Sequence, residues 1–392
     1  MNESINQPET GSVEVPAKRY TGEAVYIYAF DIAYEMSRVP LATLLGQPVA
    51  QFIVDVTKRS PRQLFFYRPQ MVRLPLLERI GPTGPVRVHR TIKILPVGAL
   101  SITVRVPFEV ERLDDLIPYH DLKFSNGSLA DEVRSVAEEA MRELRPHLVR
   151  PLDRPGDEEG YTVFWIDGPL EKGPHKPKSS EKWLTEHRRE VAALLTQEQD
   201  VQRLSDQEVD ESTGRYLSYY ENDLVVVDWD AALVIDDPKN FEEVLHIMEL
   251  ANVQLAELEA YDRILDNVIE RSYRDLGEQR LLFHARKGAR RRREILRELG
   301  EIRIDLARLS DELSNITKFF GDWHLARIYQ NLSARFHLAD WHHTIDEKLK
   351  TLDDLYQLLK QNQNNRWMII LEATIVLLFI IDLAVLFALT GK

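Results

Sequence analysis

The sequence predicts an α+β protein: a mixed α/β domain, then long coiled-coil-like helices, then one C-terminal transmembrane helix. Up to Pro238, the chain contains several short stretches rich in β-forming residues, separated by turn residues. After Pro238 proline does not recur, and apolar residues return every three or four positions, which is the helical period. The final apolar stretch, residues 366–390, is long enough as a helix to cross a hydrocarbon core of about 30 Å.

Composition limits the classes of function. A chain of 392 residues is expected to form two or three structural units. Its net charge of -13 opposes nucleic acids and anionic lipids, so binding to either needs a local basic patch. The absence of cysteine excludes disulfides, cysteine nucleophiles, iron–sulfur clusters and thiolate zinc sites. Residues 1–22 are polar, lack the apolar core of a secretory signal, and are predicted to be a disordered tail.

The α+β domain is predicted over residues 23–236. Its elements, in chain order, are strand 23–33, hairpin strands 86–95 and 99–106, helix 129–148, strand 161–166, helix 180–195, hairpin strands 215–220 and 224–229, and strand 232–235. Pro96, Val97 and Gly98 supply the turn of the first hairpin, because proline and glycine favour tight turns. Ser128 is the predicted N-cap of the first helix.

Residues 238–364 are predicted to form a long helical hairpin or stalk. Apolar residues at three- and four-residue spacing indicate coiled-coil-like seams, formed by Leu258, Tyr261, Leu265, Val268, Leu306, Leu309, Leu313, Ile316, Ile345, Leu349, Leu352, Tyr356 and Leu359. The best turn between two of these helices is at Gly321.

The transmembrane helix is predicted over residues 366–390. Arg366 and Trp367 mark one membrane interface, where arginine and tryptophan are enriched. The alternative is a buried helix of a soluble protein, which is usually shorter and is rarely apolar on every side.

Two acidic residues, Glu372 and Asp382, interrupt this apolar stretch. A carboxylate at the bilayer centre costs about 2.5–3.5 kcal/mol on insertion scales. Ten residues at about 100° each place the two acids about 80° apart, on one side of the helix. Either they are protonated or snorkelling, or this side faces another membrane helix in a homo-oligomer or a membrane partner. Under the second interpretation, Glu372 and Asp382 are candidates for mediating association between membrane helices.

A basic run is the most unusual local charge in this acidic chain. Its members are Arg286, Lys287, Arg290, Arg291, Arg292 and Arg293. They are candidates for contact with RNA phosphates or with anionic lipid headgroups, and a solvated helix face paired with nearby glutamates is the third interpretation. Reversal of the chain near Gly321 would hold the run beyond a Debye length from the bilayer, which disfavours lipid.

No residues are predicted to hold a metal or cofactor or to catalyse a reaction. His337, His342 and His343 share one helical stretch, but the first two are five residues apart and do not fit the usual four-residue spacing of zinc ligands. The chain contains no P-loop, no dinucleotide-binding glycine motif, no nucleophile elbow and no zinc-protease motif.

The C-terminal part resembles the "required for meiotic nuclear division" family. Leu371 and Glu372, followed ten positions after the glutamate by Asp382, are similar to the leucine–glutamate pair and second acid that end members of that family. The leucine-rich stretch 349–359 and residues 252–259 resemble two of its helices. The resemblance implies a single-span membrane protein. It also suggests a link to translation, since eukaryotic members support mitochondrial protein synthesis.

These observations favour a non-enzymatic scaffold that presents a cytoplasmic α+β domain on a helical stalk. The missing organellar presequence indicates a bacterial protein of the cytoplasmic membrane. Membrane lipid, further copies of the chain or a membrane protein, and RNA or the ribosome are the expected partners. Two alternatives stay open: a relative of CorA-type ion channels, although the second span and the Gly-Met-Asn loop are missing, and a tail-anchored enzyme.

Overall fold

The computed structural model describes most of the chain in several segments. The described residues are 20–37, 39–52, 69–81, 84–124, 127–168, 179–278, 297, 300–301, 304 and 323–390. The side chains of 275–278, 356, 358–367, 370 and 383–390 lie outside this description. The described residues form two compact units. The first contains the described residues up to Ala256 together with residues 323–336, and the second contains the described residues 257–304 and those from His337 onwards.

The first unit is built on a ten-stranded mixed sheet. The strands of the chain are β1 (Tyr20–Asp31), β2 (Ala33–Met36), β3 (Thr43–Leu44), β4 (Gln47–Pro48), β5 (Ala50–Gln51), β6 (Gln70–Arg73), β7 (Leu77–Gly81), β8 (Gly84–Ile94), β9 (Ala99–Val110), β10 (Lys123–Phe124), β11 (Gly127–Ser128), β12 (Leu148–Pro151), β13 (Glu159–Asp167), β14 (Tyr216–Leu217), β15 (Leu224–Val227) and β16 (Ala231–Asp236). The sheet order is β14-β15-β16-β13-β1-β9-β8-β6-β5, with β7 also paired to β8. β13 and β16 are parallel, whereas the neighbouring pairs are antiparallel.

Helices cover both faces of this sheet. The helices of the described residues are α1 (Leu129–Leu144), α2 (Ser180–Leu195), α3 (Asp206–Thr213), α4 (Pro238–Glu278), α5 (Trp323–Arg335) and α6 (Leu338–Thr390), with 3₁₀ turns at Leu113–Tyr119, Arg145–His147 and Val201–Arg203. The predicted N-cap is confirmed, because the Ser128 side chain accepts a 3.1 Å hydrogen bond from the Asp131 backbone N–H.

The alternation of side chains along the strands creates two apolar layers. On β1, Tyr26 and Phe30 face a core that includes side chains of α1 and α2. On the opposite face, Trp165 of β13 stacks on Phe241 of α4, with ring centroids 4.9 Å apart. The Asn252 side chain of α4 donates a 2.9 Å hydrogen bond to the Glu159 carbonyl oxygen. The first unit is therefore a three-layer α/β/α arrangement with α4 against the second face.

The predicted turn between β8 and β9 is confirmed. The Gly98 N–H donates to the Leu95 carbonyl oxygen at 3.1 Å, which closes the turn. Gly98 has a φ of +93°, a left-handed value that glycine adopts at little cost. Its carbonyl oxygen accepts hydrogen bonds from Ile32 N–H at 3.0 Å and Ala33 N–H at 3.1 Å. The turn therefore also fixes the chain where it leaves β1.

Helix pairing organises the described part of the second unit. Leu258, Leu265 and Val268 of α4 are buried, as are Ile345, Leu349 and Leu352 of α6, as predicted for these six positions. Tyr261 is half-buried, the side chains of Tyr356 and Leu359 are outside the description, and Leu306, Leu309, Leu313, Ile316 and the predicted turn at Gly321 lie outside the described residues. Lys348 joins the helices, because its ammonium nitrogen lies 2.6 Å from a carboxylate oxygen of Asp262 and 2.6 Å from one of Asp266.

The predicted transmembrane helix over residues 366–390 is wrong. These residues end α6, which runs without a break from Leu338 to Thr390. Among the residues that the structure describes, no helix is both long enough and apolar enough to cross a membrane. The physical reason is that Glu372 and Asp382 interrupt the apolar run, and each carboxylate would cost about 2.5–3.5 kcal/mol at the bilayer centre. The prediction of a C-terminal membrane anchor is therefore wrong as well.

Candidate functional site

The residues singled out from the sequence lie in very different settings. Glu372 and Asp382 are both exposed on α6. The side chains of Arg366 and Trp367 are outside the described part of that helix. The basic run from Arg286 to Arg293 is also outside the described residues. Their roles in association, interface anchoring and RNA contact therefore stay predictions.

A buried cluster that the sequence did not indicate lies between the sheet and α4. We call Lys93, Thr103, His246 and Glu249 the Lys93–Glu249 cluster. Lys93 of β8 and Thr103 of β9 face α4 because the neighbouring residues in each strand face the opposite core. His246 and Glu249 share one side of α4 because residues three apart on a helix are neighbours.

Every charged group of this cluster has a close partner. The Lys93 ammonium forms an ion pair with the Glu249 carboxylate. The Thr103 hydroxyl donates a 2.5 Å hydrogen bond to the other Glu249 oxygen, and His246 Nδ1 lies 3.5 Å from the oxygen that Lys93 contacts. The Phe52 ring covers the lysine, with its centroid 3.9 Å from Nζ. Lys93 and Glu249 are only 7% and 2% exposed, so water screens the pair little.

The electrostatics fix the protonation states. Burial alone raises the pKa of Glu249, but the adjacent Lys93 ammonium and His246 outweigh it and hold the pKa at about 2. Burial lowers the pKa of His246, and the positive charge of Lys93 lowers it further. At neutral pH the cluster therefore contains an ionised glutamate and a neutral histidine.

This arrangement fastens a helix to a sheet. Both carboxylate oxygens of Glu249 are already engaged, and the lysine is held as an ion-paired ammonium, which is not nucleophilic. Within the described segments, no group of three or more His, Asp or Glu side chains could hold a metal ion. The Lys93–Glu249 cluster therefore fixes α4 on the second face of the sheet.

The Lys93–Glu249 cluster makes the stability of the fold sensitive to acid. A carboxyl whose folded-state pKa is lowered stabilises the fold above its ordinary value of 4.5, and this contribution disappears as the pH falls towards about 2. His246, with a pKa below its ordinary 6.5, acts in the same direction, because the unfolded chain binds its proton more readily. We expect the free energy of unfolding to decrease below pH 6.5. Urea unfolding at pH 7 and pH 5 measures this, and His246→Leu should reduce the difference; an equal or larger difference would contradict the assignment.

A second feature is a surface on α6. Its apolar side chains are 50–71% exposed and are called here the tail surface: Met368, Ile369, Leu371, Ile375, Val376, Leu377, Leu378, Phe379, Ile380 and Ile381. Every side chain from residue 371 to 382 is exposed. Large contiguous apolar patches on a protein surface mark interaction sites.

Comparison with known proteins finds a family model and a relative that match large parts of the chain. Residues 21–242, more than half of the chain, match the family model described as "Uncharacterized protein MJ0711, N-terminal domain". The chain is 23% identical over 341 residues to the Methanocaldococcus jannaschii protein described as "Uncharacterized protein MJ0711". That match covers 87% of this chain and 97% of the relative. No solved structure matches the chain.

These matches correct two expectations. The resemblance to the "required for meiotic nuclear division" family is wrong, because the family model and the relative that match are different ones. A short pattern of one glutamate, one aspartate and leucines recurs easily in apolar helices, whereas the family match extends over the sheet. The assignment to a bacterial cytoplasmic membrane is also wrong, because the relative is archaeal and the described residues contain no membrane-spanning helix.

Proposed function

We propose that this chain, which belongs to the family described as "Uncharacterized protein MJ0711, N-terminal domain", is a non-enzymatic scaffold. The scaffold is assembled from several copies of the chain. The family description names no activity, so the proposal rests on the surfaces of this chain. The observation that carries it is the tail surface, whose ten apolar side chains are each at least half exposed in a single chain. Burying such a surface is favourable by about 25 cal/mol per Å².

The spacing of the tail surface favours another copy of the same helix as its partner. Leu377 and Ile380 lie a whole number of heptads after Leu349 and Leu352, which are both buried. A seven-residue repeat drifts by about 20° per heptad on a straight helix, so these positions form one stripe of α6 when the helix winds into a left-handed supercoil. A seven-residue repeat is the pattern by which identical helices pack side by side.

The acidic residues fit this arrangement. Glu372 and Asp382 do not fall on the heptad positions of Leu377 and Ile380, so a seam through those two residues leaves both carboxylates in water. Apolar residues away from the seam, including Ile375 and Phe379, would stay exposed in a simple pair. We therefore expect three or more copies, because a larger bundle covers a wider part of each helix.

The experiment compares the mass of the full-length protein in solution with that of a seam variant. We expect sedimentation equilibrium to show an assembly of at least three chains. Leu377→Gln combined with Ile380→Gln places two amides in the seam and should raise the dissociation constant at least tenfold. The matched control, Glu372→Gln combined with Asp382→Asn, alters residues off the seam and should assemble as the parent does.

Four results would contradict the proposed seam. A monomeric parent protein at micromolar concentration would remove its basis. An unchanged mass for the seam variant would show that the copies meet elsewhere. A chain that floats as a monomer with phospholipid vesicles would show that lipid, rather than a second copy, covers the tail surface. Weaker assembly of the control variant would instead assign the contact to the carboxylates.

A further inference from the structure

We draw no further inference here: the strongest candidate, the surface patch formed by the exposed rings of Tyr219 and Tyr220 beside the edge strand β14, carries no proposal because nothing in the structure shows what covers it.

Discussion

Replacing Glu249 with alanine is expected to lower the free energy of unfolding by about 3–5 kcal/mol, because it leaves the Lys93 ammonium buried without a counter-charge. Lys93 is 7% exposed, so water cannot replace the missing carboxylate at low cost. The Thr103 hydroxyl loses its acceptor in the same step. Urea denaturation at pH 7, followed by circular dichroism, measures the change.

Two companion variants decide whether the charge is responsible. Thr103→Val removes one hydrogen bond and no charge, and we expect it to cost about 1 kcal/mol. Lys93→Met combined with Glu249→Leu replaces the pair by apolar side chains and should recover most of the loss, because a removed pair needs no desolvation. A loss below about 1 kcal/mol for Glu249→Ala would show that the pair does not hold α4 on the sheet.

Gly98→Ala is expected to cost about 4 kcal/mol or more, since strain and a backbone collision act together at this turn. The φ of +93° is unfavourable for alanine. A Cβ atom at this position would lie 1.9 Å from the Ala33 carbonyl oxygen, so the chain after β1 must move. The hydrogen bonds from Ile32 and Ala33 to the Gly98 carbonyl would then be disturbed. Thermal and urea unfolding of the purified variant give the measurement.

Gly84 provides the matched control. Its φ of +127° is also positive, but no described atom lies within 4 Å of a Cβ built there. Gly84→Ala should therefore show the conformational strain alone, about 1–3 kcal/mol. Equal losses for the two variants would mean that the contact between the β8–β9 turn and Ala33 contributes little.

Local signals in the sequence predicted local structure well. Proline and glycine located the β8–β9 turn, and Ser128 located the start of α1, because each effect acts within a few residues. The strand expected over residues 215–220 is limited to Tyr216–Leu217. The buried carboxylate of Asp223 explains the difference, because it accepts hydrogen bonds from the backbone of Tyr219 at 2.7 Å and of Tyr220 at 3.0 Å and so turns the chain away from the sheet.

Contacts between residues far apart in the sequence could not be predicted from local patterns. The residues of the Lys93–Glu249 pair are 156 positions apart, and only the sheet brings them together. A lysine between apolar strand residues and a glutamate in an apolar stretch of helix are each weak signals. Only the contact between them indicates a buried ion pair. The tail was misassigned for a related reason: a run of apolar residues shows that a surface needs cover, but it does not identify what covers it.

The position of the first strand determines when the sheet can be completed during synthesis. β1 leaves the ribosome before the other strands, yet it lies inside the sheet between β9 and β13. Its apolar residues must wait for partners that are translated much later, and pairing between distant segments is slow. An unpaired apolar strand can join strands of other nascent chains. We therefore expect one edge of β1 to stay unpaired until β9 has emerged, and the other until β13 has emerged.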